Sequence, residues 1–119
     1  MMEEILNTNI SKTKAEEIKY YLPQDKKLMS LADFFSMFSD ATRLKIISAL
    51  SISEMCVGDI SKILNINQTT ISHQLKILKS ASLVKYRRDG KIIYYSIADP
   101  IINECLSTGV DYVKNVNYF

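Results

Sequence analysis

The single histidine of this 119-residue chain, His73, lies in a run of hydrogen-bonding side chains, NQTTISHQLKILK, at positions 67–79. Polar side chains recur there at the i, i+3, i+4, i+7 spacing that brings residues onto one face of a helix: Thr69, Ser72, His73 and Lys76. The opposite face is apolar and carries Ile71, Leu75 and Leu78. The pattern predicts a helix that buries its apolar face and presents hydrogen-bond donors and acceptors to a partner.

The thiol and imidazole groups of the chain do not suit catalysis. An enzyme would need a cysteine–histidine pair or clustered carboxylates. Cys56 and His73 are the only candidate pair, and they lie on different sides of a predicted turn, with His73 pointing outward. We therefore expect no enzyme and no cofactor, and one histidine cannot build a zinc site that needs several.

The two cysteines, Cys56 and Cys105, are 49 positions apart and leave two interpretations open. Free cysteine is among the residue types most often buried, so both could be small apolar residues of the core. Alternatively, they could form a thiol switch, or a two-thiolate site for a soft metal that is completed across a dimer. A disulfide would need their Cα atoms within roughly 7 Å of each other.

Short predicted elements surround the polar helix. Before it, VGDISKIL predicts a helix with one apolar side: Val57, Ile60, Ile63 and Leu64. NIN then interrupts the pattern, and Asn67 is suited to cap the next helix. After the polar helix, LVKYR and KIIYYSI are β-branched and aromatic runs joined through RDG, whose Asp-Gly supplies the positive φ of a tight hairpin turn. The predicted order is helix, short turn, helix and a two-stranded wing.

Positive charge is concentrated in the same region. Residues 60–91 hold seven lysines and arginines against one acid, a net charge of +6, whereas residues 1–40 and 92–119 each carry −2 and residues 41–59 balance. Such a concentration favours a polyanion as the partner. A solvated positive face without a ligand is the plain alternative.

An α-helix fits the major groove of DNA, and a helix-turn-helix holds the inner face of that helix while its outer face reaches base edges. Residues near the helix start are the candidates for base contacts: Gln68, Thr69, Ser72 and His73, with Thr70 beside them as a further DNA-contact candidate. Residues further along the helix and beside the hairpin turn are the candidates for contacts to the DNA backbone: Lys76, Lys79, Arg87, Arg88 and Lys91. We predict double-stranded DNA as the partner.

Two apolar stripes flank the helix-turn-helix. One lies on a helix predicted from Asp25 to about Ser39: Leu28, Leu31, Ala32, Phe34, Phe35 and Phe38. Asp40 is suited to cap the following predicted helix, ATRLKIISAL, in which we expect Arg43 to pair locally and three residues to share a face: Leu44, Ile47 and Leu50. The second stripe lies on a helix that Asp99-Pro100 begins: Ile101, Ile102, Cys105, Leu106, Val110 and Val113. It is wider than one small domain needs.

The length predicts one compact unit, divided by function into residues 1–24 and 25–119. Thr13 and Glu16 form a capping box for a short helix that Pro23 ends, so residues 1–24 are an N-terminal arm or short helix. No uncharged apolar run approaches the roughly 18 residues of a membrane span, and the start of the chain is acidic. We therefore expect a cytoplasmic protein without membrane contact.

Three stretches resemble the ArsR/SmtB family of bacterial winged-helix repressors. FSDATRLKIISAL is similar to the second-helix signature of that family, EMCVGDISKILNINQTTISHQLKILKSASLV to its helix-turn-helix, and RRDGKIIYYSI to its wing. The resemblance covers about Leu28 to Val113. It implies a mainly α, winged helix-turn-helix fold that dimerises through its first and last helices. It also implies repression by binding an inverted-repeat operator, release by an inducer, and base contacts from Gln68, Thr69, Ser72 and His73.

The metal sites that the resemblance implies are not retained. Thiolate-type sensors of the family carry Cys-Val-Cys, whereas this chain has CVGD, with Gly58 in place of the second cysteine. The last-helix site of the family keeps only Asp99, because Ile101, Tyr112 and Asn115 occupy the other ligand positions. The inducer is therefore unknown, and an organic inducer or none at all stays open beside the two cysteines.

A second function is compatible with the same pattern. A winged-helix module can bind RNA or a protein partner without repressing a promoter. This alternative predicts that Gln68 to His73 can be replaced without loss of binding, whereas a repressor would lose operator discrimination.

Overall fold

The structure, a computed structural model, describes residues 9–115. Its helices are α1 (Lys12–Tyr21), α2 (Asp25–Ser36), α3 (Ala41–Ile52), α4 (Val57–Leu64), α5 (Gln68–Ser80) and α6 (Pro100–Asn115). Its strands are β1 (Met55–Cys56), β2 (Val84–Asp89) and β3 (Ile92–Ile97). The predicted class, mainly α with a small β-hairpin, is confirmed for the described range.

The described residues fall into two compact units that divide between Asp33 and Phe34, within α2. In the first unit, the side chain of Ser11 caps α1 by accepting a 3.2 Å hydrogen bond from the backbone N–H of Lys14. The predicted capping box from Thr13 is therefore wrong, because Thr13 lies inside the helix and a capping residue needs non-helical dihedrals. The predicted division of the chain into an N-terminal arm, residues 1–24, and a DNA-binding and dimerisation domain, residues 25–119, stays a prediction.

The core of the second unit is built from α3, α4, α5, the sheet and α6. Its buried side chains are Ile46, Ile47, Leu50, Met55, Ile60, Ile71, Leu75, Leu78, Leu83, Val84 and Ile102. The predicted inner face of α5 is confirmed. In α4, Ile63 was predicted to be on the apolar side but is 66% exposed. At about 100° per residue, Val57 and Leu64 lie to one side of the buried Ile60 and Ile63 lies to the other.

The wing belongs to a three-stranded antiparallel sheet in the order β1-β3-β2. The short strand β1, which sequence analysis did not predict, pairs Met55 with Tyr95 of β3. The hairpin between β2 and β3 is confirmed, but Asp89 pairs with Ile92, so the two loop residues are Gly90 and Lys91. Gly90 takes a φ of +63° at the first loop position, where type II′ turns require glycine.

The two apolar stripes are only partly buried. Helix α2 ends at Ser36, and Phe35 on it is 55% exposed, although Phe34 and Phe38 pack against the core. On α6, Ile102 is buried, whereas Val110 is 45% exposed. In the second unit, these helices and α3 enclose an apolar groove of about 440 Å³ lined by side chains that include Phe35, Phe38, Leu44, Cys105, Leu106 and Val110. The outer members of the α2 stripe therefore lie outside the core of the chain.

Candidate nucleic-acid interface

Polar contacts fix the turn between α4 and α5. Asn65 ends α4 in the left-handed region, with φ at 55°, which asparagine tolerates better than most residues. Ser61 makes two hydrogen bonds with Ile66: its carbonyl accepts from the Ile66 N–H, and its hydroxyl donates to the Ile66 carbonyl. Asn67 begins α5 by accepting a 2.8 Å hydrogen bond from the N–H of Thr70. The predicted cap is confirmed, and it sets the direction in which α5 leaves the turn.

Helix α5 presents the predicted polar face to solvent. Its buried side is anchored by Ile71, Leu75 and Leu78, each with no exposed surface. The opposite side is exposed and includes the predicted residues Gln68, Thr69, Ser72, His73 and Lys76. Thr70 is only partly exposed, and its N–H is used by the cap. The structure therefore brings most of the predicted base-contacting residues onto one accessible face and leaves Thr70 at its margin.

The wing touches the end of α5 through Tyr86. The ammonium group of Lys79 lies 4.0 Å from the centre of the Tyr86 ring, and that ring lies 6.2 Å from the ring of Tyr95. Side chains alternate along a strand, so Arg88 lies on the same face of β2 as Tyr86 and the buried Val84. Arg88 is exposed on the side of the sheet that faces α5.

Arg87 lies on the other face of β2 and is engaged within the chain. Its guanidinium pairs with both carboxylate oxygens of Glu54, at 2.7 Å and 3.0 Å, and stacks 4.7 Å from the centre of the Tyr94 ring. The hydrogen bond from Arg87 lowers the pKa of Glu54, and the positive charges of Arg87 and Lys85 act in the same direction. Sequence analysis grouped Arg87 with Arg88, but their side chains have different surroundings.

A second guanidinium ties α5 to the end of α2. Arg43 donates to the carbonyls of Met37 and Ser36, at 3.2 Å and 3.4 Å, and to Oε1 of Gln74 at 3.3 Å. The predicted local pairing of Arg43 is confirmed for the two carbonyls. Sequence analysis did not single out Gln74, although its place three residues after the buried Ile71 puts it near the inner face of α5.

Comparisons with known proteins identify the family of the chain. Residues 40–86 match the family model "Bacterial regulatory protein, arsR family". The cadmium resistance transcriptional regulatory protein CadC of Listeria innocua is 39% identical over 88 residues, which are 73% of this chain and 74% of that protein. The chain belongs to the ArsR family of bacterial regulatory proteins. The transcriptional repressor SmtB homolog of a Synechocystis species is 41% identical over 71% of the chain, and this match spans 66% of that relative, just under two thirds.

A solved structure of a possible ArsR-family transcriptional regulator has the same fold. A solution NMR structure from Mycobacterium bovis, described as a homodimeric winged helix-turn-helix DNA-binding domain, superposes with a TM-score of 0.69 at 30% identity. The match covers 82% of this chain and 93% of that domain. The winged helix-turn-helix fold predicted from the sequence is thereby confirmed for this ArsR-family chain.

The two thiols of this family member lie on different elements. Cys56 ends β1 opposite Tyr94, whereas Cys105 lies on α6 and lines the apolar groove, and both are free and partly exposed. Within residues 9–115, no three side chains of the metal-binding types converge on a point that could hold a metal ion. In the same range, no helix has the length and apolar character to cross a membrane.

Proposed function

We propose that this ArsR-family chain is a homodimeric repressor of transcription that binds an inverted-repeat operator in double-stranded DNA and is released by an inducer. Binding to chromosomal DNA also implies a cytoplasmic protein. The names of the relatives support repression, since one is called a transcriptional repressor and another a transcriptional regulatory protein.

The observation that carries the proposal is the exposed polar face of α5. Gln68, Thr69, Ser72 and His73 project from a helix whose other side is fully buried, so the backbone of α5 is held while these side chains stay free to meet base edges. Gln68 can make a bidentate contact to adenine, and His73 can donate or accept. Lys76 and Arg88 flank this face and supply positive charge for phosphates.

The homodimer is supported by the uncovered apolar surface of α6 and by the homodimeric state in the description of the Mycobacterium bovis domain. Val110 and Phe35, which both line the apolar groove, are 45% and 55% exposed although both are apolar. Contiguous exposed apolar surface of this kind marks a protein–protein interface more often than a solvated face. Two copies of α5 would then present a symmetric reading surface, which accounts for an inverted-repeat operator.

The described residues hold no cluster of metal-binding side chains that would identify the inducer. Cys56 and Cys105 each occur alone on their elements, so we propose only that they be tested as thiols. Binding to a selected duplex is measured for wild type, Cys56→Ser and Cys105→Ser, each reduced, oxidised, and with added cadmium or zinc. Affinity that stays constant in every condition would mean that the cysteines are structural and that the inducer, if one exists, is of another kind.

The central experiment selects duplexes from a random library with the wild-type chain and then tests a variant in which Gln68, Thr69, Ser72 and His73 are replaced by alanine. The repressor predicts an enriched inverted repeat that the variant no longer distinguishes from random DNA. A wild-type chain that enriches no duplex, or that binds single-stranded RNA more tightly than the duplex, contradicts the proposal. A variant that keeps full discrimination would point instead to the alternative module.

A further inference from the structure

We propose that Arg87 positions the wing through Glu54 and Tyr94 and makes no phosphate contact, whereas Arg88 makes the phosphate contact next to α5. This division of roles rests on the proposed DNA-binding function. It separates two adjacent arginines that the sequence presents as equivalent.

The strand register puts Arg87 on a different face from α5. Tyr94 on the central strand β3 pairs with Arg87 on one side and with Cys56 of β1 on the other. Directly opposed residues in an antiparallel sheet project from the same face, so these three side chains share the outer face of the sheet. Glu54, two residues before Cys56, reaches over this face and completes the contact with Arg87.

The contacts of Arg87 cross all three strands. Its guanidinium meets Glu54, which directly precedes β1, lies over Tyr94 of β3, and is carried by β2. Strand β1 has only two residues and therefore contributes few ladder hydrogen bonds. A planar guanidinium that is bidentate to a carboxylate and stacked on a ring has a fixed direction, which a lone surface lysine would lack. The wing is thereby tied to the loop that follows α3.

The inner face of the same hairpin is organised around α5. Tyr86 and Arg88 are two positions apart on β2 and therefore lie on the same face of the strand. The Tyr86 ring contacts the ammonium group of Lys79 near the end of α5. Arg88 is exposed on this side, where phosphates next to the bases read by α5 would lie. Arg87 and Arg88 therefore differ in both direction and occupation. The guanidinium of Arg87 is paired with the Glu54 carboxylate, whereas that of Arg88 extends from the face that we propose DNA approaches.

The salt dependence of binding tests the two roles. The probe is the duplex that the wild-type chain selects from a random library, and the slope of log affinity against log salt counts the phosphates contacted. We expect Arg88→Gln to reduce the magnitude of this slope by about 1 per subunit, as a lost phosphate contact does. We expect Arg87→Gln to leave the slope unchanged and to weaken binding by only about two- to fivefold, the scale of an exposed ion pair.

A charge exchange separates positioning from contact. Arg87→Glu should weaken binding, and the double variant Glu54→Arg with Arg87→Glu should restore affinity to within about threefold of wild type, because the pair is remade with reversed signs. If Arg87 bound a phosphate, glutamate at this position would repel DNA whatever stood at position 54. Failure of the double variant to recover, with an unchanged thermal midpoint, would overturn the proposal.

Amide hydrogen exchange tests the contact between Glu54 and Arg87 without DNA. Glu54→Gln and Arg87→Gln should each speed exchange in β2 and β3 relative to the matched control Lys85→Gln, which lies on the same face but outside the pair. Tighter DNA binding by Glu54→Gln would overturn the proposal, since it would mean that Glu54 competes with phosphate for Arg87. If the wild-type chain selects no duplex at all, the proposed function fails as well, which is distinct from normal selection with a reduced slope for Arg87→Gln.

Discussion

Nη1 of Arg43 lies 3.3 Å from Oε1 of Gln74, a residue 31 positions further along the chain. The same guanidinium donates to the carbonyls of Ser36 and Met37, where α2 ends. Cations are favoured at the carboxyl end of a helix, because the helix dipole is negative there. One side chain thus joins the end of α2, whose Phe35 lines the apolar groove, to the helix that presents the polar face.

Removing the Arg43–Gln74 contact should reduce stability in a coupled way. Arg43→Met should lower the free energy of unfolding by about 1–3 kcal/mol, since two carbonyls and an amide lose a partly buried donor. Gln74→Met should cost about 0.5–1.5 kcal/mol. Urea denaturation of both single variants and the double variant measures the coupling, and Lys45→Met on the exposed side of α3 is the control. Strictly additive losses would show that the two side chains do not interact.

The cap of α5 should be measurable through Asn67. Asn67→Ala removes the acceptor of the Thr70 N–H and should destabilise the chain by about 1 kcal/mol. Asn67→Asp keeps the acceptor and places a negative charge at the helix start, so it should stay close to wild type. Thermal or urea unfolding distinguishes the two. An equal loss for both substitutions would mean that the cap contributes little and that the amide group acts elsewhere.

His73 should act on specificity more than on general affinity. His73→Ala should relax discrimination at one base position of the selected duplex by about 1–3 kcal/mol, because its imidazole lies on the exposed face of α5. Binding to a set of single-base variants of that duplex measures the effect. Lys76→Ala is the matched comparison on the same face and should weaken all duplexes alike. Equal losses for His73→Ala on selected and random DNA would exclude base reading.

The exposed apolar side of α6 should control assembly. Val110→Lys puts a charge on this surface and should weaken a homodimer at least about tenfold, because an unpaired charge would be buried on association. Thr108→Lys adds the same charge on the opposite side of the helix and serves as the control. Sedimentation equilibrium gives both dissociation constants. Unchanged assembly of Val110→Lys would place the dimer surface elsewhere.

The ion pair between Glu54 and Arg87 should give a defined pH dependence. The pKa of Glu54 lies below its ordinary value of 4.5, chiefly because of the hydrogen bond from Arg87. A carboxyl with a lowered folded-state pKa stabilises the fold above its unfolded pKa, and this contribution is lost as pH falls through the folded value. The stability difference between wild type and Glu54→Gln should therefore shrink on acidification below about pH 4.5.

An NMR titration of the Glu54 carboxyl checks the cause directly. Its midpoint should lie below the ordinary value in the wild-type chain and move back towards it in Arg87→Gln. Arg88→Gln removes an equal charge from the opposite face of the same strand and should move the midpoint less. The prediction is wrong if both variants shift the midpoint equally.

Local patterns in the chain were sufficient to predict the helices, the β2–β3 hairpin and the polar face of α5. Ile71, Leu75 and Leu78 recur at helical spacing and are buried, and Asn67 and Asp40 cap the helices that follow them. Caps and amphipathic periods depend on residues within a few positions of each other, so they can be read from the order of residues. The positive charge concentrated in residues 60–91 and the short polar side chains of α5 can be read from the sequence in the same way.

Contacts between distant residues could not be predicted in this way. Glu54 and Arg87 are 33 positions apart, and Cys56 meets Tyr94 only because β1 adds to the sheet. A two-residue strand has no periodicity of its own, and the face on which Arg87 lies depends on a register that the packing of the sheet sets. The order of residues therefore specified which polar groups lie on the exposed face of α5, whereas the tertiary packing separated the exposed Arg88 from Arg87, which pairs with Glu54.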